Sequence, residues 1–332
     1  MNTLGKNFVF TSFGESHGRA IGGVLDGVPA GVHIDMDMIR EALDKRAGRV
    51  KVKSERLEVK GTVSPRALRE GDEVEWLSGV MDGVTLGTPI AFIIRNKDAR
   101  PKDYEWLKHS YRIGHADRTY QEKYGIRDHR GGGRASARET ASRVVAGGVA
   151  QQLLKKKNIH IHAELVQVGE EKNPERFDEY IATIQRDGDS IGGIVECVIT
   201  GLPIGVGEPI FDKLQSHLAF AMMSINGCKG FEYGSGFEGV ELKGSEMYLS
   251  ENHTLISGGM AGGISDGTPV VFRCVFKPTA SNRKTLEALF ESSQISEFQG
   301  FKVGRHDACI AVRAVAVVEA MAALVLQDLL SK

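Results

Sequence analysis

Residues 77–90 read LSGVMDGVTLGTPI and residues 256–270 read ISGGMAGGISDGTPV, so one glycine-rich pattern occurs twice in the chain, about 180 residues apart. In both places a run of β-branched and aromatic residues follows the proline, at Ile90–Ile94 and at Val270–Phe276. Such runs between turn residues are typical of β-strands. Each copy therefore predicts a tight turn that leads into an apolar strand.

Two further pairs of motifs recur in the same order along the chain. The pairs are Ile21–Gly31 with Ile191–Gly205 and Gly114–Asp117 with Gly304–Asp307. Repetition in a fixed order indicates duplicated structural units. We therefore expect a single domain over residues 1–332 with an internal repeat, whose halves span about 1–160 and 185–332.

Strand and helix patterns occur in groups within each half. Strands are also predicted at Ile21–Leu25 and Ile191–Ile199. Helices are predicted at Asp37–Lys45, Arg134–Lys156, Phe211–Ser224 and Arg313–Leu330. This grouping favours a layered α+β fold. Residues 45–75 are basic and have few apolar positions, which predicts either a loop or a hairpin.

Composition and charge exclude several classes of protein. The chain has 42 Lys+Arg against 43 Asp+Glu, so its formal net charge of -1 does not favour nucleic acid as a partner. Its four cysteines form no C-x-x-C pair, which fits neither a zinc site nor a disulfide framework and predicts a cytoplasmic location. The longest apolar run, Ala314–Leu326, is interrupted by Glu319 and predicts a buried helix rather than a membrane span.

A basic, glycine-rich segment between Arg112 and Arg143 is the strongest candidate for a binding site. It places arginines on both sides of Gly131-Gly132-Gly133. Glycines let the backbone come close to a ligand, and a helix that begins at Arg134 would present free N–H groups to an anion. Arginine adds bidentate contacts to phosphate or carboxylate. Two alternatives stay open, a salt-bridged helix surface and an RGG-type RNA contact.

Three smaller motifs contain residues that suit catalysis or anion binding. In Gly14–Gly18, GESHG, His17 titrates near neutrality as a general acid requires, while the G-x-S-x-G spacing also matches a nucleophilic serine and a capped turn. His115 and Asp307 lie at matching points of the repeated motifs, which makes both of them candidates for catalytic residues. Lys277–Ser281, KPTAS, combines a cation with two hydroxyls and suits a phosphate monoester, or is a plain turn.

These motifs together resemble the chorismate synthase family between Phe13 and Asp328. The matching segments are GESHG, GHADRTYQEKYGIRDHRGGGRASARET, DSIGGIVECVITGLPIGVGEPIFDKL, AMMSINGCKGFEYGSGF, GGMAGGISDG, KPTAS and GRHDACIAVRAVAVVEAM. The resemblance implies a β-α-β sandwich of two pseudo-symmetric halves and a homotetramer. It implies a lyase that eliminates phosphate from 5-enolpyruvylshikimate 3-phosphate, giving chorismate at the end of the shikimate pathway, with reduced FMN required and no net redox change.

The resemblance also assigns roles to residues. His17 would protonate reduced flavin, His115 would assist the departing phosphate, and Asp307 would help a flavin nitrogen accept the ring proton. The implied flavin contacts are Arg134, Ala135, Ser136, Asn226, Gly227, Gly262, Lys277, Pro278, Thr279, Ala280, Ser281 and Arg305. Candidate contacts to substrate or to NADPH are Arg46, Arg49, Arg112 and Arg130.

One segment departs from the family pattern and one cofactor stays open. Residues 46–70 lack the family's arginine-rich R-P-G-x-S stretch and the T-x-R-x-E that follows it. No G-x-G-x-x-G fingerprint follows a predicted strand, so NADPH as a reductant of FMN is an alternative that the sequence leaves open. No metal, nucleic-acid or membrane partner is expected.

Overall fold

Two antiparallel sheets and a layer of helices make up the fold. The computed structural model describes residues 1–51, 57–59, 71–249, 251, 256–293 and 307–331. In chain order the strands are β1 (Thr3–Leu4), β2 (Val9–Phe13), β3 (Ala20–Asp26), β4 (Arg49–Lys51), β5 (Leu57–Val59), β6 (Val74–Trp76), β7 (Val80–Met81), β8 (Val84–Thr85), β9 (Ile90–Arg95), β10 (His160–Val168), β11 (Gly193–Thr200), β12 (Cys228–Tyr233), β13 (Met260–Ala261), β14 (Ile264–Ser265) and β15 (Val270–Phe276).

The first sheet has the spatial order β1-β2-β3-β9-β6, and the second has the order β10-β11-β15-β12. Every pairing in both sheets is antiparallel. In β9 and β11 alternate residues are buried, as expected for sheets with one face on the core. The four strands predicted from β-branched runs are confirmed.

The α-helices and the short 3₁₀ helices connect and cover these strands. The α-helices are α1 (Met36–Ala47), α2 (Asp117–Tyr124), α3 (Thr140–Lys155), α4 (Phe177–Arg186), α5 (Leu214–Met223), α6 (Gly244–Tyr248), α7 (Arg283–Ser293) and α8 (Ala311–Leu330). The 3₁₀ helices are Pro101–Lys108, Gly133–Ala135, Ala137–Glu139, Pro174–Arg176 and Gly236–Glu241.

The helical layer lies between the two sheets. Helix α3 packs on β3 of the first sheet, α8 packs on β10 and β11 of the second, and the two helices pack against each other. They approach so closely that a Cβ added at Gly147 would lie 2.4 Å from the Cα of Ala320. The expected layered α+β fold is therefore confirmed. The buried helix predicted at the end of the chain is α8, and no helix within the described ranges is long and apolar enough to cross a membrane.

One predicted helix begins later than the sequence suggested. The helix expected from Arg134 begins at Thr140, after two single 3₁₀ turns. Ser136 separates these turns because its backbone is extended, with φ -78° and ψ 142°, and its hydroxyl accepts a hydrogen bond from the N–H of Arg138. The prediction that Arg134–Ser136 opens a long helix was therefore wrong. The other predicted helices are present as α1, α5 and α8.

The basic segment 45–75 contains a short hairpin. Strand β4 pairs with β5 in antiparallel register, which agrees with the hairpin alternative. Residues 52–56 and 60–70 lie outside the described residues.

The two sheets share an order of elements that bears on the internal repeat. The order β2-β3-β9-β6 in one sheet corresponds to β10-β11-β15-β12 in the other. In each half a two-stranded hairpin, β7–β8 or β13–β14, precedes the strand that leads toward the long central helix. The relation of the halves by a pseudo-two-fold axis stays a prediction, which superposition of residues 15–160 on 185–330 would test.

Candidate active site

A cavity of about 450 Å³ lies where loops of both halves meet. Most of the predicted site residues line it although they are far apart in sequence. Those that line it are His17, Arg46, Arg112, His115, Ala135, Ser136, Asn226, Gly227, Lys277, Thr279, Ala280, Ser281 and Asp307. Ser16, Tyr120, Ala137 and Arg138 also line the cavity and belong to the predicted motifs without having been assigned a role, whereas Asp72, Tyr104, Ile310 and Arg313 were not predicted.

His17 lies in the turn between β2 and β3. The turn is tight, because a Cβ at Gly14 would lie 2.3 Å from the carbonyl oxygen of Ala20. His17 is buried, and its Nδ1 accepts a hydrogen bond from the N–H of Arg100 at 3.1 Å. The neutral ring therefore carries its proton on Nε2. Because this turn joins two strands, it is not the strand-to-helix elbow that a nucleophilic serine at Ser16 would need.

His115 lies in the loop before α2, beside a carboxylate. Its Nδ1 is 2.9 Å from Oδ1 of Asp117, the first residue of α2. Burial lowers the pKa of His115, and the charge of Arg112 lowers it further. The hydrogen bond to Asp117 raises that pKa but does not offset the effect of burial. Although burial alone raises the pKa of Asp117, its hydrogen bonds to Arg112 and His115 hold that pKa well below its ordinary value. The carboxylate is therefore ionised beside a neutral imidazole at pH 7.

The triple glycine contacts the two histidines. All three glycines have positive φ, of 64°, 87° and 52°. A Cβ on Gly131 would lie 2.3 Å from Cδ2 of His17, and one on Gly132 would lie 2.6 Å from Cε1 of His115. We expected these glycines to let the backbone approach a ligand. In the structure they leave room for both imidazole rings, which therefore converge on one short segment.

A buried group of charges forms the floor of the cavity. Arg46 lies 3.4 Å from Asp72 through Nη1 and Oδ2, and Arg138 is ion-paired with the same carboxylate. Arg313 pairs with Asp307 at 2.6 Å. Burial, with the nearby charge of Arg313, lowers the pKa of Arg46 to about 9. Burial raises the pKa of Asp72, but the two arginines beside it bring it below its ordinary value. Three guanidinium groups therefore face two carboxylates, and the excess charge favours an anion.

Two buried oxygen atoms in the lining have no hydrogen-bond donor among the described residues. They are Oδ1 of Asp307 and Oδ1 of Asn226. The other polar atoms of these side chains are bonded, since Asn226 donates to the carbonyl oxygen of Ala135 at 3.0 Å and Asp307 binds Arg313. An unpaired buried acceptor is costly. These two atoms therefore indicate a ligand with N–H or O–H groups.

The KPTAS turn is held in place beside these acceptors. The ammonium group of Lys277 donates to the carbonyl oxygen of Gly114 at 2.7 Å, and the hydroxyl of Thr279 donates to that of Asp307 at 2.8 Å. Burial, with the charge of Lys229, lowers the pKa of Lys277. The turn brings one cation and two hydroxyls to a cavity that Ser136 also lines. This is a donor set suited to a phosphate.

Several predicted residues lie elsewhere. Arg49 pairs with Asp44 at 3.1 Å and Arg130 with Asp128 at 2.7 Å, and neither lines the cavity. Arg134 points to the first sheet, where it donates to the hydroxyl of Ser12 at 2.6 Å. Gly262 lies in the turn between β13 and β14, and Pro278 lies beside Gly192, so neither lines the cavity. Arg305 lies outside the described residues.

Charge and hydrogen-bonding capacity define the class of protein. An α+β chain with two histidines, a buried carboxylate and excess arginine around one cavity is an acid–base enzyme acting on a small anionic ligand. The family model described as chorismate synthase matches residues 8–330. This chain belongs to the chorismate synthase family.

Individual relatives and a solved structure agree with this assignment. The chorismate synthase of Christiangramia forsetii is 47% identical, covering 98% of this chain and 96% of that protein. The chorismate synthase of Flavobacterium psychrophilum is 45% identical with the same coverage. A crystal structure of chorismate synthase superposes with a TM-score of 0.72 at 28% identity, covering 98% of this chain and 92% of the other. The chain is a lyase that removes phosphate from 5-enolpyruvylshikimate 3-phosphate to give chorismate.

Proposed function

We propose that this elimination takes place in the cavity described above, with reduced FMN bound beside the substrate. The observation that carries the proposal is the convergence of His17 and His115 from one half and Asp307 from the other on one cavity. The excess of buried arginine supports it, because the substrate carries a phosphate and two carboxylates. We assign the binding of these groups to Arg46, Arg138 and Arg313.

The residues present fit FMN. Its phosphate needs cations and hydroxyls, which Lys277, Ser281 and Ser136 offer, while the hydroxyl of Thr279 holds the turn through the carbonyl oxygen of Asp307. Its reduced ring system carries N–H groups, and the buried Oδ1 atoms of Asn226 and Asp307 lack donors among the described residues. When bound, reduced FMN supplies an electron-rich ring that supports the loss of phosphate and of a proton without net redox change.

The hydrogen bonds around the two histidines suggest different proton positions. His17 receives the Arg100 N–H on Nδ1, so its Nε2 holds the proton and serves as the donor on the flavin side. Nδ1 of His115 is engaged by the carboxylate of Asp117, which leaves Nε2 to face the cavity. A phosphate dianion nearby would favour protonation of that Nε2. In that protonated form His115 assists the departing phosphate.

Asp307 is assigned to the proton that leaves the substrate ring. Its Oδ2 is held by Arg313 at 2.6 Å, while its Oδ1 is buried without a donor in the part of the chain that the structure describes. The ion pair fixes the carboxylate in one orientation. With FMN bound, the unpaired oxygen would accept a hydrogen bond from a flavin N–H group, and the carboxylate would favour a proton arriving there from the substrate ring.

We also propose the homotetramer that the family resemblance implies and the cytoplasmic location that the cysteine content predicts. Side chains such as Phe211 and Phe220, which are 90% and 59% exposed, support self-association. The four cysteines are free and buried, which suits a reducing compartment. Sedimentation equilibrium tests the oligomer, and a monomer at micromolar concentration would contradict it.

The activity and its reductant are tested together. Chorismate formation is measured anaerobically with chemically reduced FMN, with and without NADPH, and then with oxidised FMN and NADPH. We expect turnover with chemically reduced FMN in the absence of NADPH. No turnover under these conditions would contradict the proposal. Turnover with oxidised FMN and NADPH would show that the chain reduces its own flavin.

A further inference from the structure

We propose that Asp117 is a positioning residue that fixes His115 in the tautomer with its proton on Nδ1 and thereby directs Nε2 toward the departing phosphate. The inference rests on the proposed role of His115 and extends it to a residue that contacts neither substrate nor cofactor. It is carried by the hydrogen bonds of three residues, Arg112, His115 and Asp117. All three are mostly shielded from solvent, with side-chain exposures of 7%, 17% and 2%.

Two hydrogen-bond patterns compete at Nδ1 of His115. This nitrogen lies 2.9 Å from Oδ1 of Asp117 and 3.1 Å from Nη2 of Arg112. It can donate to the carboxylate or accept from the guanidinium, but not both. The choice decides which ring nitrogen carries the proton in the neutral imidazole, and therefore what Nε2 can do.

The contacts of Arg112 favour donation to the carboxylate. Nη2 of Arg112 already donates to Oδ1 of Asp117 at 2.8 Å, and Nε donates to Oδ2 at 2.8 Å, which makes a bidentate pair. If Nδ1 of His115 carried a lone pair, that lone pair would face an ionised oxygen 2.9 Å away. A proton between them turns this repulsion into a charge-assisted hydrogen bond. Nδ1 therefore donates.

The position of Asp117 makes this arrangement rigid. Both of its oxygens are held by Arg112, and the backbone N–H of Arg112 also donates to Oδ2 at 3.1 Å. The residue is the first of helix α2, where a carboxylate is favoured by the helix dipole. The carboxylate thus has little freedom to turn, and the imidazole is held through it. A Cβ at Gly132 would lie 2.6 Å from Cε1 of the ring, so the backbone of the triple glycine also lies close against the imidazole.

The charges around His115 explain why the tautomer matters for the reaction. The ring is faced by Asp117, Arg112 and Lys277, of which the last two disfavour a second proton. The neutral ring therefore presents a lone pair on Nε2 until an anion arrives. In the opposite tautomer Nε2 would already carry the proton, and no further proton could be taken up there.

Hydrogen positions test this directly without any assay of activity. Neutron diffraction from deuterated crystals near pH 8 should show deuterium on Nδ1 of His115 and on Nε2 of His17. Deuterium on Nε2 of His115 with none on Nδ1 would overturn the proposal. Because the measurement uses the unsubstituted protein, its result is independent of whether the assignment of the elimination step holds and of whether a variant folds.

Kinetics of Asp117→Asn test the consequence. The amide keeps the size of the side chain but removes the charge, so we expect kcat to fall about 10-fold or more with little change in the KM for substrate. The alkaline limb of the pH profile of kcat should move to lower pH, because His115 acts in its protonated form and the carboxylate that favours this form is gone. In the His115→Ala background the same change should have almost no further effect on kcat.

A matched control exists on the surface of the molecule. Asp212 also contacts a histidine and a cation, since it lies 3.1 Å from Nε2 of His217 and 3.2 Å from the ammonium group of Lys6. Asp212→Asn should leave kcat and its pH profile unchanged. A purely structural role of Asp117 would lower kcat equally with and without His115, and that outcome would contradict the proposal.

Discussion

The two walls of the cavity differ in how completely their polar atoms are bonded. On the wall from the first half, His17 and His115 each have Nδ1 engaged, by the N–H of Arg100 and by Asp117. On the wall from the second half, Asp307 and Asn226 each keep one buried oxygen without a donor among the described residues. On the first wall the protein itself orients both imidazole rings, whereas on the second wall a ligand would supply the donors for the two oxygens.

This difference separates acid–base chemistry from cofactor recognition. Groups that transfer protons are efficient when their orientation is fixed before the substrate arrives. Groups that recognise a cofactor leave acceptors for its N–H atoms. We therefore expect changes on the first wall to affect turnover, and changes on the second wall to affect FMN affinity as well.

The largest effect is expected from removing either histidine. His17→Ala and His115→Ala should each lower kcat by roughly 10²–10⁴-fold, as removal of a positioned acid or base does, while the fold is retained because both residues lie in loops. The assay is anaerobic chorismate formation with chemically reduced FMN. His217→Ala, on helix α5 and outside this cavity, serves as the control. Full activity of His115→Ala would refute its assigned role.

A smaller loss of kcat is expected when Gly132, which lies against the ring of His115, is replaced by alanine. A Cβ at Gly132 would lie 2.6 Å from Cε1 of the ring, while a Cβ at Gly133 finds its nearest atom, Cβ of Asp128, at 3.5 Å. Both positions have positive φ, so Gly132→Ala and Gly133→Ala share a backbone cost of about 1 kcal/mol. We expect kcat to fall about 10-fold further in Gly132→Ala. Equal kcat values in the two variants would show that the ring is not held by this contact.

The smallest effect is expected in the pH dependence of stability. The folded state lowers the pKa of His115, chiefly by burial, so as pH falls below about 6.5 the unfolded chain takes up this proton first. As pH falls from about 6.5 to the folded pKa of His115, this residue therefore lowers the free energy of unfolding. Above pH 7 the imidazole is neutral in both states, and the residue has no such effect. Urea titrations at pH 5.5 and 7.5 should show a smaller loss at low pH in His115→Ala than in the parent. An identical loss in both would contradict the assigned pKa direction.

Much of the fold was predictable because periodic apolar patterns report burial directly. The strands at Ile90–Arg95 and Val270–Phe276 and the helix Ala311–Leu330 were found within a few residues. The start of α3 was not, because the pattern across Arg134–Ser136 was compatible with a helix. The hydroxyl of Ser136, which bonds to the next turn, decided against it.

Site residues that lie in sequence motifs were predictable. Site residues that reach the cavity only through the packing of the chain were not. His17, His115 and Asp307 lie in motifs, and all three line the cavity. Asp72 lies at the end of the basic segment with no local pattern to mark it. Arg313 did leave a signal, as a lone charge at the start of an apolar helix.

Local ion pairs explain why several predicted arginines lie outside the cavity. Arg130 pairs with Asp128, two residues away, and Arg49 pairs with Asp44, five residues away. Spacing in the sequence does not distinguish an arginine that binds a ligand from one that neutralises a neighbour. The decisive information is the three-dimensional arrangement of the carboxylates.

The central claim, that FMN affinity rests mainly on the second wall while His17 and His115 of the first wall transfer protons, is tested most directly by titrating oxidised FMN into Lys277→Ala and His115→Ala. We predict that Lys277→Ala weakens the Kd about 10-fold or more, since a charged hydrogen-bond donor to phosphate is lost, and that His115→Ala changes it less than 2-fold. Unchanged affinity in Lys277→Ala, or an equal loss in both variants, would contradict the division of the cavity into two walls.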